Sequence, residues 1–419
     1  MDSRTRHLLK VGVVANVFEW YEFTIFGFLV GLIGQLFFKS PEPIVELLRA
    51  YSVFALSFIA RPVGGLFFGL IGDRIGRSAA LRLSLVLMSI PTILIGLLPT
   101  YDQAGITAII SLVTLRLIQG FAAGGELPTT ACYVFESSLA RNRSLLCSAI
   151  TASPKIGMLL ASLVAFCLIR WFDEPTLLAW AWRIPFLLGI PLTFAIIYIR
   201  RMIHEPITPS KSSRVAIPTH LGWASLVRPL LQAVILVSFG ALCFYLIFVW
   251  MPVYLSYFLG ISSSIAHFTN TLVLCAILPF YLILHYLSRK WGYQHLILVS
   301  TLIMLLLVTP AFKGLQHYTS WQILLLIQFI LSLIYVGIDG VLIEALGELF
   351  PKAYRSLGFG VAWTFSAALV GGTTPLVCTY VIHKTGWLMF PSFYIIIFGL
   401  LALPVAMSLK SSKKTVVLH

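Results

Sequence analysis

GLFFGLIGDRIGRSAAL, residues Gly65 to Leu81, sets one acid, two arginines and four glycines between two long apolar stretches. A third arginine, Arg82, follows at once. Such a run belongs in water. Its flanks, roughly 51–71 and 79–99, are each long enough to cross a bilayer, for which about 20 apolar residues suffice. The run therefore reads as a tight turn on one membrane face, and its arginines mark that face as cytoplasmic.

Composition extends this reading to the whole chain. Of 419 residues, 59% are hydrophobic and 11% charged, against about 25% charged in an average soluble domain. This is the balance of a polytopic membrane protein. The net charge of +14 does not indicate a nucleic-acid partner, because the basic residues fall in short loops between spans. At the start, Arg4, Arg6 and Lys10 precede an apolar span with no small-residue cleavage site, so no removable leader is expected. Six cysteines lie in or beside spans at no regular spacing. They suggest small core residues, with neither a disulfide framework nor a metal site, and no cofactor is expected.

Hydropathy gives twelve candidate helices at roughly 12–37, 49–71, 79–99, 106–134, 145–169, 183–200, 229–259, 265–287, 294–311, 321–346, 357–382 and 388–409. Residues 201–228, polar and rich in proline and serine, read as a linker. The expected fold is an all-α membrane protein with two pseudo-symmetric six-helix bundles, residues 1–200 and 229–419. Counting Lys and Arg by side gives 20 on the face of the termini and 6 on the other, with three inside spans. Both termini are thus expected in the cytoplasm.

The halves echo each other. Glu136 and Arg143 follow the fourth span, and Glu348 and Arg355, equally spaced, follow the tenth. LSRKWG after the eighth span resembles the GDRIG turn, with Arg289 where the acid should stand. A repeat with a site between its copies is a common plan for secondary transporters.

Intramembrane charges are the candidate site, since each costs several kcal/mol unless paired, protonated or facing a wet cavity. Glu19 and Glu22 are three apart on one helix face, beside Trp20 and Tyr21. One of them suits a proton carrier; a structural ion pair with Arg61 or Arg116 is the alternative. Arg116, Gln119, Ala123 and Glu126 fall within about 80° of one face of the fourth span. Arg116 suits a carboxylate, because its planar fork donates two parallel bonds, or it neutralises a glutamate of the first span. Lys155 and Asp339 stand alone in the fifth and tenth spans. Lys155 has the alternative of snorkelling to the interface. Tyr245, Trp250, Tyr254, Tyr257 and Trp363 offer either an aromatic box for a quaternary ammonium or ordinary packing. The pairs Gly65/Gly69 and Gly120/Gly124 suggest close helix packing.

Several strings carry a family resemblance: VFEWYEF (Val17–Phe23), RPVGGLFFG (Arg61–Gly69), GDRIGR (Gly72–Arg77), RLIQGFAAGGE (Arg116–Glu126), WRIPFLLG (Trp182–Gly189), MPVYLS (Met251–Ser256), ELFPKAYR (Glu348–Arg355) and GGTTP (Gly371–Pro375). Through them the chain resembles the metabolite:proton symporter family of the major facilitator superfamily, especially its proline/betaine-type members. The resemblance implies a bacterial inner-membrane symporter, working as a monomer on a proton and a small metabolite. It implies no enzymatic activity.

On that reading Glu19, Glu22, Glu126 and Asp339 handle the proton. Tyr21, Arg61, Arg116, Gln119, Lys155, Trp250 and Trp363 contact substrate. Asp73, Arg74, Arg77, Glu136, Arg143, Glu348 and Arg355 form a cytoplasmic gate. Proline or betaine is the leading substrate. A di- or tricarboxylate is the alternative that Arg61, Arg116 and Lys155 favour, and a drug:proton antiporter shares the fold. Glu22 stands where the family usually has Asp, and Lys155 is unexpected in a proline/betaine-type member.

Overall fold

The computed structural model describes residues 3–75, 77–124, 143–191, 193–194, 224–351 and 354–409, and every regular element among them is helical. Eight helices are long and apolar enough to cross a membrane: Pro43–Ile71, Leu145–Trp171, Leu226–Phe258, Ser263–Trp291, Tyr293–His317, Trp321–Leu349, Leu357–Thr385 and Phe390–Ser408. A bent pair, Asn16–Phe28 with Val30–Phe37, adds the first span, and the shorter apolar helices Leu83–Leu97 and Ile106–Ala122 supply the third and fourth. Of the expected sixth span, the helix Ile184–Leu187 and the residues just after it are described. The fold is the twelve-span, two-bundle architecture expected from hydropathy.

Local departures have local causes. The first span, one candidate helix by hydropathy, bends by 60° at Leu29. The seventh is π-helical over Tyr245–Trp250, and the eleventh over Ala367–Gly371. Each of these two segments precedes a proline, Pro252 or Pro375, while a further π turn, Tyr254–Phe258, follows Pro252. A proline has no N–H to return to the fourth carbonyl before it, so the hydrogen-bond ladder is displaced there. The two segments meet, since a Cβ on Gly371 would strike the ring of Tyr245.

Packing between the bundles follows the repeat. The fifth span lies along the first and also against the eighth, while the second touches the eleventh. Exchanging the halves turns a contact of spans five and eight into one of spans eleven and two, so one interface is used twice. Within the first bundle, the second and fourth spans approach to backbone contact. Methyl groups on Gly64, Gly120 and Gly124 would collide with the carbonyls of Phe121, Ser57 and Arg61. Small residues are what permit such contact in a bilayer. Gly69, expected to join them, faces open space instead.

Candidate functional site

A cavity of about 50 Å³ lies between the bundles. The first, second and fifth spans contribute Trp20, Arg61 and Lys155; the seventh, tenth and eleventh contribute Phe244, Asp339 and Trp363. Its size admits a few waters.

Two charges that stood alone in the sequence face each other across this cavity. Lys155 Nζ lies 2.5 Å from Asp339 Oδ2, and their side chains are 5% and 6% exposed. Tyr281 donates a 2.8 Å hydrogen bond to the same carboxylate oxygen. The ammonium also sits among rings, with Phe244, Tyr281 and Tyr335 at 5.2, 5.5 and 5.5 Å to their centroids. Tyr335 is four residues before Asp339, so one helix face presents both the ring and the acid. The pair joins the fifth span to the tenth, and hence one bundle to the other.

Arg61 lies on a different wall, 6% exposed. Its guanidinium rests 4.2 Å from the centroids of both Phe23 and Phe58. Glu19 and Tyr245 are close enough to act on it electrostatically. Arg61 Nε has no hydrogen-bond partner among the described residues, and neither has Trp20 Nε1. Both side chains line the cavity. Buried donors without acceptors are uncommon, and here two of them converge on one chamber.

Glu22 and Arg116 are buried beside the cavity and join a continuous network within the first bundle. Ser89 donates to Glu22 at 3.0 Å, and Thr92 Oγ1 lies 3.4 Å from it. Gln119 donates to Thr92 at 2.6 Å and accepts from Arg116 at 2.9 Å; Arg116 donates onward to Ser57 at 3.2 Å. Six side chains from four spans thus form one network, in which Thr92 and Gln119 link the carboxylate to the guanidinium. Arg116 shares a ring with Arg61, its guanidinium lying 4.8 Å from the Phe23 centroid. Two guanidiniums and two carboxylates, Glu19 and Glu22, thus share this part of the membrane interior.

Other candidates fall elsewhere. Tyr21 donates to the Pro185 carbonyl at 2.8 Å and closes the first span onto the sixth. Trp250 donates to Thr379 at 2.9 Å and stacks on Tyr254 at 5.0 Å. Neither lines the cavity; these are packing contacts. Trp363 does line it, stacked on Phe359.

Glu126 and Glu136, and the side chains of Asp73, Arg77 and Arg143, lie outside the described residues. Arg74 and Glu348 are exposed, and half-buried Arg355 donates to the Phe350 carbonyl at 3.5 Å. Five cysteines among the described residues are free, and no cluster of three or more potential metal ligands occurs there.

Sequence reading missed Ser89, Thr92, Tyr281, Phe244 and Tyr335. Tyr335 had a signal, the four-residue spacing to Asp339. Ser89 and Thr92 had only their own three-residue spacing.

The sequence pattern of the Major Facilitator Superfamily matches residues 13–312. The chain is 29% identical over 431 aligned residues to the glycine betaine/proline/ectoine/pipecolic acid transporter OusA of Dickeya dadantii, covering 98% of this chain and 84% of that protein. It is 30% identical over 390 residues to a putative proline/betaine transporter of Staphylococcus haemolyticus, covering 91% and 82%. Among solved structures, the proton:xylose symporter XylE superposes with a TM-score of 0.75 at 18% identity, over 96% of this chain and 94% of that one. That last likeness concerns the fold alone.

Proposed function

This chain belongs to the Major Facilitator Superfamily, and we propose that it is a proton-coupled symporter importing a small metabolite by alternating access, foremost an osmolyte such as proline or betaine. That it is a multi-pass membrane transporter rather than an enzyme follows from the family. Direction, coupling and substrate belong to the proposal.

One observation carries it: the Lys155–Asp339 pair bridges the bundles at the wall of a central cavity. A transporter that rocks its halves apart must break its cross-bundle contacts on one side at a time. Protonation of Asp339 removes one charge of the pair and loosens the bridge. Glu19 and Glu22 are the other proton-carrying candidates, Glu22 being cradled by Ser89 and Thr92; Glu126 is carried with them from its place in the fourth span. Arg61 receives the substrate carboxylate, with Trp363 at the far wall. Arg116 and Gln119 support the site from behind, through the chain that ends on Glu22.

Asp73, Arg74, Arg77, Glu136, Arg143, Glu348 and Arg355 gate the cytoplasmic side. The protein works as a monomer in a bacterial inner membrane, with both termini in the cytoplasm. A di- or tricarboxylate is the second reading, favoured by Arg61 and Arg116 sharing the Phe23 ring.

Uptake of radiolabelled proline and betaine into proteoliposomes, with and without an inward proton gradient, tests the proposal. Gradient-dependent accumulation is expected. Uptake indifferent to the gradient removes coupling, and accumulation of citrate or 2-oxoglutarate instead selects the second reading.

A further inference from the structure

We propose that Lys155 is a tethered occupant of the cavity's cation subsite and so sets the charge of the solute the site accepts. Its surroundings are those that hold a free ammonium ion. Phe244, Tyr281 and Tyr335 stand 5.2–5.5 Å from Nζ, within the roughly 6 Å at which ring faces attract a cation. Asp339 supplies the counter-charge. A solute ammonium seeking this corner meets Lys155 already in place, and like charge repels it.

The opposite wall has the reverse character. Arg61 Nε and Trp20 Nε1 are donors without acceptors among the described residues, on side chains 6% and 8% exposed. The cavity therefore sets unpartnered donors for a carboxylate behind one wall, reachable as it widens, and a filled place for a cation at the other. A carboxylate lacking a positive head binds with Lys155 undisturbed, whereas a zwitterion must first displace Lys155 from Asp339. This inference rests on the reading of the cavity as the solute site and, within that reading, favours a carboxylate without a positive head, the second substrate reading, over the osmolyte.

Betaine and the anion of tert-butylacetic acid form a suitable probe pair, identical in shape and differing by a charged nitrogen in place of carbon. Binding is measured by calorimetry on purified protein in nanodiscs. The wild type is expected to bind the tert-butylacetate anion about tenfold more tightly than betaine, a difference of about 1.4 kcal/mol. In Lys155→Met the order reverses by about the same factor, because the cage and Asp339 stand open. Adding Asp339→Asn to Lys155→Met abolishes the reversal. Lys155→Gln serves as a second variant, and the wild-type comparison decides by itself if neither variant folds.

A wild type that prefers betaine tenfold, or a Lys155→Met protein whose preference is unchanged, overturns the inference. A wild type that binds neither probe overturns it through the cavity reading itself. Failure of the osmolyte proposal is separately visible, as binding of the tert-butylacetate anion with no proline or betaine uptake.

Discussion

Removing both members of the Lys155–Asp339 pair should be less damaging than the two single losses added together. At a 2.5 Å contact with both groups buried, the Coulomb attraction at an effective dielectric of about 20 is about 7 kcal/mol before desolvation is counted. Deleting one partner of a buried pair typically costs about 3–5 kcal/mol, because the other charge is left without compensation. Lys155→Met and Asp339→Asn should each show that loss. The double variant replaces two charges by neutral groups of similar volume and should fall short of the sum of the single losses by about 2–3 kcal/mol, a coupling typical of residues in direct contact. The assay is a double-mutant cycle on reversible unfolding in mixed micelles, with Tyr281→Phe as a milder third variant that removes one hydrogen bond to the carboxylate. Strictly additive losses would refute the claim that this pair fastens the bundles together.

The remaining predictions concern the network, the cation beside it and the packing beneath. Glu22→Gln should abolish solute accumulation while leaving membrane insertion intact, checked by uptake and by yield of folded protein; wild-type accumulation removes Glu22 from the proton path. Arg61→Ala should eliminate saturable carboxylate binding in calorimetry, and Arg61→Lys should restore only part of it, since an ammonium lacks the planar fork. Gly120→Ala should lose about 1–3 kcal/mol of stability by overpacking against the Ser57 carbonyl. Gly69→Ala, with open space around it, should stay within about 0.5 kcal/mol of wild type; equal losses in the same unfolding assay refute the close-packing account.

Much of the fold was legible from the sequence because a bilayer leaves few choices. A span must satisfy its own backbone, so apolar length reports helices directly, and the loop charges and the repeat order them. The bend at Leu29 was not legible, since no proline or glycine stands at that residue. The π segments were only half-visible, as prolines whose effect depends on the ladder they interrupt.

The candidate site divides along similar lines. Each charge in oil announced itself, and Arg61, Lys155 and Asp339 meet at one cavity. Their pairing did not announce itself, because Lys155 and Asp339 are 184 residues apart and nothing local says that the fifth and tenth spans touch. Trp250 was legible only as an alternative. An indole in a span reads the same whether it faces a cavity or, as here, donates to Thr379 inside a packed helix pair.

Alternating access around the Lys155–Asp339 bridge is tested most directly by distances across the two faces. Spin labels at Arg74 and Trp291, both exposed on the face of the Gly72–Arg77 turn, report one side, and labels at exposed Trp171 and Tyr318 report the other. In a cysteine-free background, lowering the pH in the presence of solute should lengthen one distance as the other shortens, and Asp339→Asn should produce the same exchange without acid. Distances that stay fixed, or that change in the same sense on both faces, would contradict it.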